Sequence, residues 1–347
     1  MPELDLLKVL ALAGVIVIHA AAWVVPAETP PLAGPWALVI ALARFCVPAF
    51  VFASGLAVQR SRAARPEAAG AFLRRRWSRT LLPWLIWTPL YLLLDLSQGL
   101  LAPAQAPGWL LYGAGHLYFL LLVAQLYPLA LVAPSGNRRL IPFALGLLAL
   151  QAVLGAAHAH GPLEADRWAA AQAPFWAGYF ACGMLAGAYY ERLLELRRLW
   201  PLALAAVAAT TWVVLAEAQS IGGDYWRQGE YSFLWPSRIA NTAAICLAAI
   251  WGGDSLQERP AWLFAAAREI SRRSLGIYIL QSAVLVFLGP RTSALPGPVR
   301  VAVLVAIAFA GAHILTVLLS QTAAGRVALG EAASTLPGRA RRRLGTA

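Results

Sequence analysis

Charge is scarce in this chain. Only 13% of its 347 residues are Asp, Glu, Lys or Arg, against about a quarter in soluble domains, while 60% are hydrophobic. That balance excludes an ordinary soluble globular protein and predicts a chain that lives in a bilayer. Cysteine is scarce too: Cys46, Cys182 and Cys246 fall in three separate apolar segments, with no CxxC or Cys/His spacing. A disulfide framework and a cysteine metal site are thereby excluded, and the three thiols read as small buried hydrophobes. No metal site is expected. Long polar gaps are missing as well, so no soluble domain is expected. The net charge of +12 does not call for nucleic acid, because it is spread over short loops that would face anionic lipid headgroups.

What is present is a series of apolar runs, each near the 20 residues a membrane-crossing helix needs. Cut at Arg, Gly and Pro interruptions, they predict spans near 7–26, 36–58, 79–101, 115–133, 140–157, 172–189, 200–218, 235–252, 274–290 and 299–320. The expected fold is all-α and polytopic, with about ten transmembrane helices, since lipid satisfies no backbone N–H or C=O group. A first stretch bearing Glu3, Asp5 and a single lysine reads as a retained signal anchor rather than a cleaved leader. With the N-terminus cytoplasmic, 22 of the 28 basic residues fall on the inner side, led by the seven between Arg60 and Arg79. The outer loops keep Arg167, Arg227, Arg291 and Arg300 beside Glu164, Asp166, Glu217, Asp224 and Glu230. The positive-inside rule then puts both termini in the cytoplasm. Residues 1–322 read as one transmembrane domain and 323–347, ending "PGRARRRLGTA", as a disordered basic tail.

Polar residues inside apolar runs are the candidates for chemistry. In "LLKVLALAGVIVIHA", Lys8 and His19 are eleven residues apart, which is close to three helical turns and puts both on one face, about 16 Å apart along the axis. An ionisable group at the depth of His19 is a functional candidate by default; a histidine bonded to a backbone carbonyl is the plainer alternative. "RFCVPAFVFASGLAV" holds Arg44, which either snorkels to the outer interface or meets a substrate, then Pro48, able to kink the span, and Ser54. "FLRRRWSRTLLPWLIW" aligns Arg76 with Arg79 at i,i+3 and Arg75 with Arg79 at i,i+4. Inside-positive anchoring alone predicts arginines here, but their alignment makes a fork suited to phosphate oxygens. "GHLYFLLLVAQLY" places His116 near the outer face, and "SLGIYILQSAVL" holds Ser274, Tyr278 and Gln281 in an apolar frame. Arg238 and Asn241 fall in the outer half of their span.

In register, Lys8–x10–His19, "VPAFVFASG", "RRRWSRTLLPW", "GHLYFLLL", "YFACGMLAG" at 179–187 and "SLGIYIL" resemble the membrane-bound acyltransferase 3 family over residues 5 to 320. The chain departs from that family's pattern at Lys8, usually arginine, and at Gln281, a histidine in many members, so an acid–base role at position 281 is not expected. The extracellular hydrolase-like domain fused to some members is not expected here. The resemblance implies transfer of an acetyl or other small acyl group from cytoplasmic acyl-CoA to a hydroxyl of a sugar, glycan or lipid-linked acceptor, in a bacterial inner membrane and without a permanently bound cofactor. It implies a catalytic pair of His19, as general base, and Lys8, which helps to hold the donor at the inner mouth, and a donor site of Arg75, Arg76, Arg79 and Ser54. Arg44, His116, Arg238, Asn241, Tyr278 and Gln281 are then candidates for the acceptor pocket, and Asp95 for orienting the imidazole. A secondary transporter or an inactive scaffold would also bury ionisable groups in this way, but no repeated halves are visible and the arginines lie at the mouth rather than the midplane.

Overall fold

The computed structural model describes residues 1–24, 35–134, 136–159, 171–221, 232–253 and 259–331. Among these the regular structure is entirely helical: α1 Pro2–Ala22, α2 Pro35–Ala43, α3 Cys46–Ala64, α4 Ala69–Ser97, α5 Ala106–Tyr112, α6 Tyr118–Val132 and α7 Asn137–Ala159. The rest are α8 Ala177–Ala188, α9 Tyr190–Glu195, α10 Trp200–Ile221, α11 Pro236–Gly253, α12 Ala261–Leu288, α13 Gly297–Leu319 and α14 Ala323–Ala328. Leu93, Val132, Val153, Leu202 and Trp212 are each more than 60% exposed. An outer surface so apolar belongs against lipid.

Seven spans, rather than the expected ten, are long and apolar enough to cross a membrane among the described residues: Pro2–Ala22, Val39–Ala64, Ala69–Ser97, Pro103–Val132, Asn137–Ala157, Tyr190–Ser220 and Gly297–Leu319. The three other expected spans are helices at the expected places. However, α8 has 12 residues, about 18 Å at 1.5 Å per residue, α11 carries the buried Arg238 and Asn241, and the first half of α12 carries Arg268, Glu269, Arg272 and Arg273. Arg238 and Asn241 face protein, whereas Arg268 and Arg272 are exposed at the start of α12, and these polar groups lower the hydropathy of both helices.

Proline explains where helices break and what joins them. The expected span 36–58 is two helices, with Arg44 and Phe45 in the turn between α2 and α3. Pro48 has no N–H to return to the carbonyl of Arg44, and its ring crowds that carbonyl. Pro128 likewise removes the helical partner of the Ala124 carbonyl, and Trp77 of α4 donates its indole N–H to that oxygen at 3.0 Å, joining α4 to α6. α4 begins ten residues before the expected 79, so Arg74, Arg75, Arg76 and Arg79 ride inside a helix rather than at its mouth.

The closest crossing is between α3 and α8. A Cβ on Gly55 would lie 2.0 Å from the Phe180 carbonyl oxygen, and one on Gly183 would lie 2.0 Å from that of Phe52. Small residues here let two backbones touch, the usual route to tight helix pairs in lipid. Residues 323–347 were expected as a disordered tail, but α14 is helical, capped by the Thr322 hydroxyl accepting from the Gly325 N–H, and Leu329 is buried. Residues 332–347, with Arg339, Arg341, Arg342 and Arg343, lie outside the described residues, as do Glu164, Asp166, Arg167, Asp224, Arg227 and Glu230.

Gly183→Ala should therefore destabilise the protein by about 1–3 kcal/mol or more through overpacking, whereas Gly70→Ala, with open space around its Cβ, should not. Thermal unfolding of the two variants in detergent checks this, and equal melting temperatures would contradict the crossing.

Candidate active site

Helix α1 is the hub of the fold: α2, α3, α11, α12 and α13 all pack against it. Proline in its first turn, Glu3 and Asp5 beside that proline, and His19 in the last turn fit the helix dipole. Its apolar residues Leu7, Ala11, Leu12, Ile16 and Ala20 are fully enclosed, so the polar face that carries Lys8 and His19 is also held inside protein.

At the Lys8 end, the ammonium lies within electrostatic range of Asp5, Arg79 and Arg76. Asp5 is engaged already, accepting from Ser271 Oγ at 2.5 Å. Arg76 lies over the rings of Phe72 and Tyr127, 5.7 and 5.8 Å from their centroids. The Nε atoms of both Arg76 and Arg79 are buried with no hydrogen-bond partner among the described residues. Three cations with one carboxylate and two unmet buried N–H groups form a site that gains by taking an anion. Lys8 is the only lysine in the chain.

Near the other end of α1, Gln281 Nε2 stands 2.5 Å from His19 Nδ1 and donates to Ser282 Oγ at 2.7 Å. His116 lies edge-on to His19, with centroids 5.6 Å apart. Its Nε2 is 3.1 Å from the Ile279 carbonyl; a carbonyl only accepts, so this nitrogen carries the proton. Tyr278 donates its hydroxyl to the His116 carbonyl. Tyr91 donates to the Ile279 carbonyl at 2.5 Å and accepts from the Ala283 N–H at 3.0 Å, lying across the pair that a regular helix bonds directly.

His19 opens on a cavity of about 890 Å³. Trp23, Trp109, Trp176, Tyr112 and Phe233 form much of its wall, with Arg44, Asp95 and Ser282 as polar groups; Trp176 and Phe233 stack at 3.8 Å. None of Lys8, Arg75, Arg76 or Arg79 reaches it. The cavity and the cationic cluster therefore lie at opposite ends of α1, with His19 at the cavity.

The candidates read from the sequence thus separate. Lys8, Arg76 and Arg79 come together; Arg75 instead pairs with Glu67 on the surface. Ser54 turns its hydroxyl back to the Phe50 carbonyl within α3. Arg44, His116 and Tyr278 line the cavity, whereas Arg238 and Asn241 do not. Arg238 is buried, donating to the Ala41 carbonyl at 2.7 Å, and Asn241 donates to the Thr210 and Thr211 hydroxyls, so both serve to join helices. The partner of the imidazole is Gln281, not Asp95. Tyr91, Ser282 and the cavity tryptophans were not singled out by sequence, although Tyr91 lies one turn before Asp95 on the same face. Among the described residues no group of three His, Cys, Asp or Glu side chains is placed to hold a metal ion.

A family model described as an acyltransferase domain matches residues 1–319. The chain belongs to the acyltransferase 3 family. No curated protein and no solved structure matches it. This acyltransferase is a membrane protein whose family match ends at the last residue of α13, before α14.

The chain passes from the cavity side to the other side of the bundle along α6, which makes Gly108 and Gly136 useful reporters; a side chain at either meets open space. Cysteines placed there should react with a membrane-impermeant maleimide from opposite faces. Labelling of both from one face would refute the opposed placement of cavity and cationic cluster.

Proposed function

We propose that this acyltransferase moves a small acyl group, acetyl being the simplest, from cytoplasmic acyl-CoA to a hydroxyl of a sugar or glycan presented in the opposite, outward-facing cavity. The observation that carries this reading is the arrangement along α1, with unmatched cations at one end and an imidazole opening on an aromatic cavity near the other. Coenzyme A brings phosphates, which Lys8, Arg76 and Arg79 would take as charge-assisted partners. Its thioester sits at the end of a long flexible arm, suited to reach the imidazole about 16 Å further along the helix. Aromatic faces with Arg44 and Asp95 beside them suit a ring that is apolar on its faces and hydroxylated at its edge. The proposed topology has ten spans, with both termini cytoplasmic, in a bacterial inner membrane, because the cationic end of α1 then lies on the side that holds most of the arginines.

In the reaction, His19 accepts the proton of the acceptor hydroxyl as its oxygen attacks the thioester carbonyl carbon. The C–O bond forms, the C–S bond breaks, and the departing thiolate takes the proton back from the imidazolium. Ester and free thiol are the products.

His19→Ala should abolish release of free thiol from acetyl-CoA by the purified protein supplied with a cellular glycan extract, while leaving the fold intact. Arg76→Ala and Arg79→Ala should each weaken acetyl-CoA binding by the worth of a charge-assisted bond, about 1.5–3 kcal/mol. Lys8→Arg should keep activity and Lys8→Met lose it at low donor concentration. Wild-type turnover in His19→Ala would overturn the catalytic assignment, and donor affinity indifferent to both arginines and to salt would return them to a purely topological role.

A further inference from the structure

Position 281 is glutamine, which neither takes nor gives a proton at physiological pH, yet its carboxamide is the group that meets the imidazole of His19. Gln281 is fully buried. Its Nε2 faces His19 Nδ1 at 2.5 Å and Ser282 Oγ at 2.7 Å, while its Oε1 is buried with no partner among the described residues. The two ends of a carboxamide have the same shape, so hydrogen bonding alone decides which end faces which neighbour. The two orientations have opposite consequences for the imidazole. With the NH2 end toward Nδ1, that nitrogen must accept, the single proton sits on Nε2, and the imidazolium would press an N–H against an N–H. With the oxygen end toward His19, Oε1 accepts the Nδ1 proton and also the Ser282 hydroxyl proton, the NH2 end takes the place where Oε1 has no partner, the His19 Nε2 keeps its lone pair, and the imidazolium keeps its partner.

We propose that Gln281 is the positioning residue of His19, with its carboxamide oxygen turned to the Nδ1–H and the Ser282 hydroxyl so that Nε2 is the basic nitrogen. The inference rests on the reading of His19 as general base, because only the oxygen-facing orientation leaves an imidazole able to take up a proton in place. The surrounding structure supports it. Tyr91 and His116 both bond the Ile279 carbonyl, and Tyr91 also holds the Ala283 N–H. These contacts fix α12 on either side of residues 281 and 282, so the carboxamide is presented to His19 from a clamped stretch of helix.

The proton position is read directly by nitrogen-15 NMR of the protein labelled on its five histidines and held in lipid nanodiscs, with His19 assigned by difference from His19→Ala. The expected spectrum shows His19 protonated at Nδ1 and bare at Nε2, and this preference is lost in Gln281→Met, which keeps length and removes both polar ends. A resting His19 protonated at Nε2 overturns the proposal. Turnover of acetyl-CoA with the glycan extract supplies the second readout. Gln281→Met should lower kcat by about 10- to 100-fold with the KM for acetyl-CoA unchanged, and Gln281→Glu, which retains the accepting oxygen, should restore most of it. Folded Gln281→Glu as inactive as His19→Ala overturns the proposal, even where Gln281→Met fails to fold. If the Nδ1 proton is found and His19→Ala still turns over, the orientation stands and the general-base reading falls, so the two are told apart.

Discussion

A charged or ionisable side chain at membrane depth must be enclosed by protein, and the placement of α1 answers to that constraint. α1 carries one cation and one imidazole on a single face, and five helices close around it. Each end of that face meets a different environment. Near Lys8 the neighbours are cations with buried N–H groups left over, and near His19 they are an amide, a second imidazole and a cavity. The separation of a polar end from an aromatic chamber follows from the pitch of one helix and from what packs against it.

The same constraint governs the backbone. Prolines inside α3, α4, α6 and α7 release carbonyls that lipid cannot satisfy, and some of those positions become joints. Trp77 takes the oxygen freed by Pro128. Gly330, in the left-handed region at φ +66°, comes up against the Arg79 carbonyl, where a Cβ would be 2.5 Å away; Pro83 leaves that carbonyl without a helical partner. The stretch after α14 lies beside the arginine-bearing turn of α4, and Trp87 donates to the Ala328 carbonyl at 2.8 Å. At Pro128, a helix-breaking residue thus sets where a neighbouring helix attaches.

His116 shows how a buried histidine divides its functions. One nitrogen is committed to a backbone carbonyl, as a structural histidine would be, while its ring stands against that of His19 and lines the cavity. Arg238 and Asn241, also polar and buried, direct their hydrogen bonds to other helices and not to the cavity. Burial of a polar group in an apolar run therefore marks a candidate, and the direction in which its hydrogen bonds run separates a site from a joint.

Local sequence determined the helical class, the approximate places of the apolar segments, and the alignment of Lys8 with His19 and of Arg76 with Arg79, because helical periodicity and the cost of polar groups in lipid act over a few residues at a time. The family pattern was legible for the same reason, since its motifs are short and each lies within one helix. Tertiary structure decided the rest: that Arg75 turns to Glu67 while Arg76 and Arg79 turn inward, and that α11 buries Arg238 and Asn241 against protein. It also decided that Gln281, 262 residues from His19 in sequence, is the side chain that meets the imidazole. Such pairings depend on how helices far apart in the chain rotate and dock. No periodicity within one helix encodes the residue on another helix that will stand across from it.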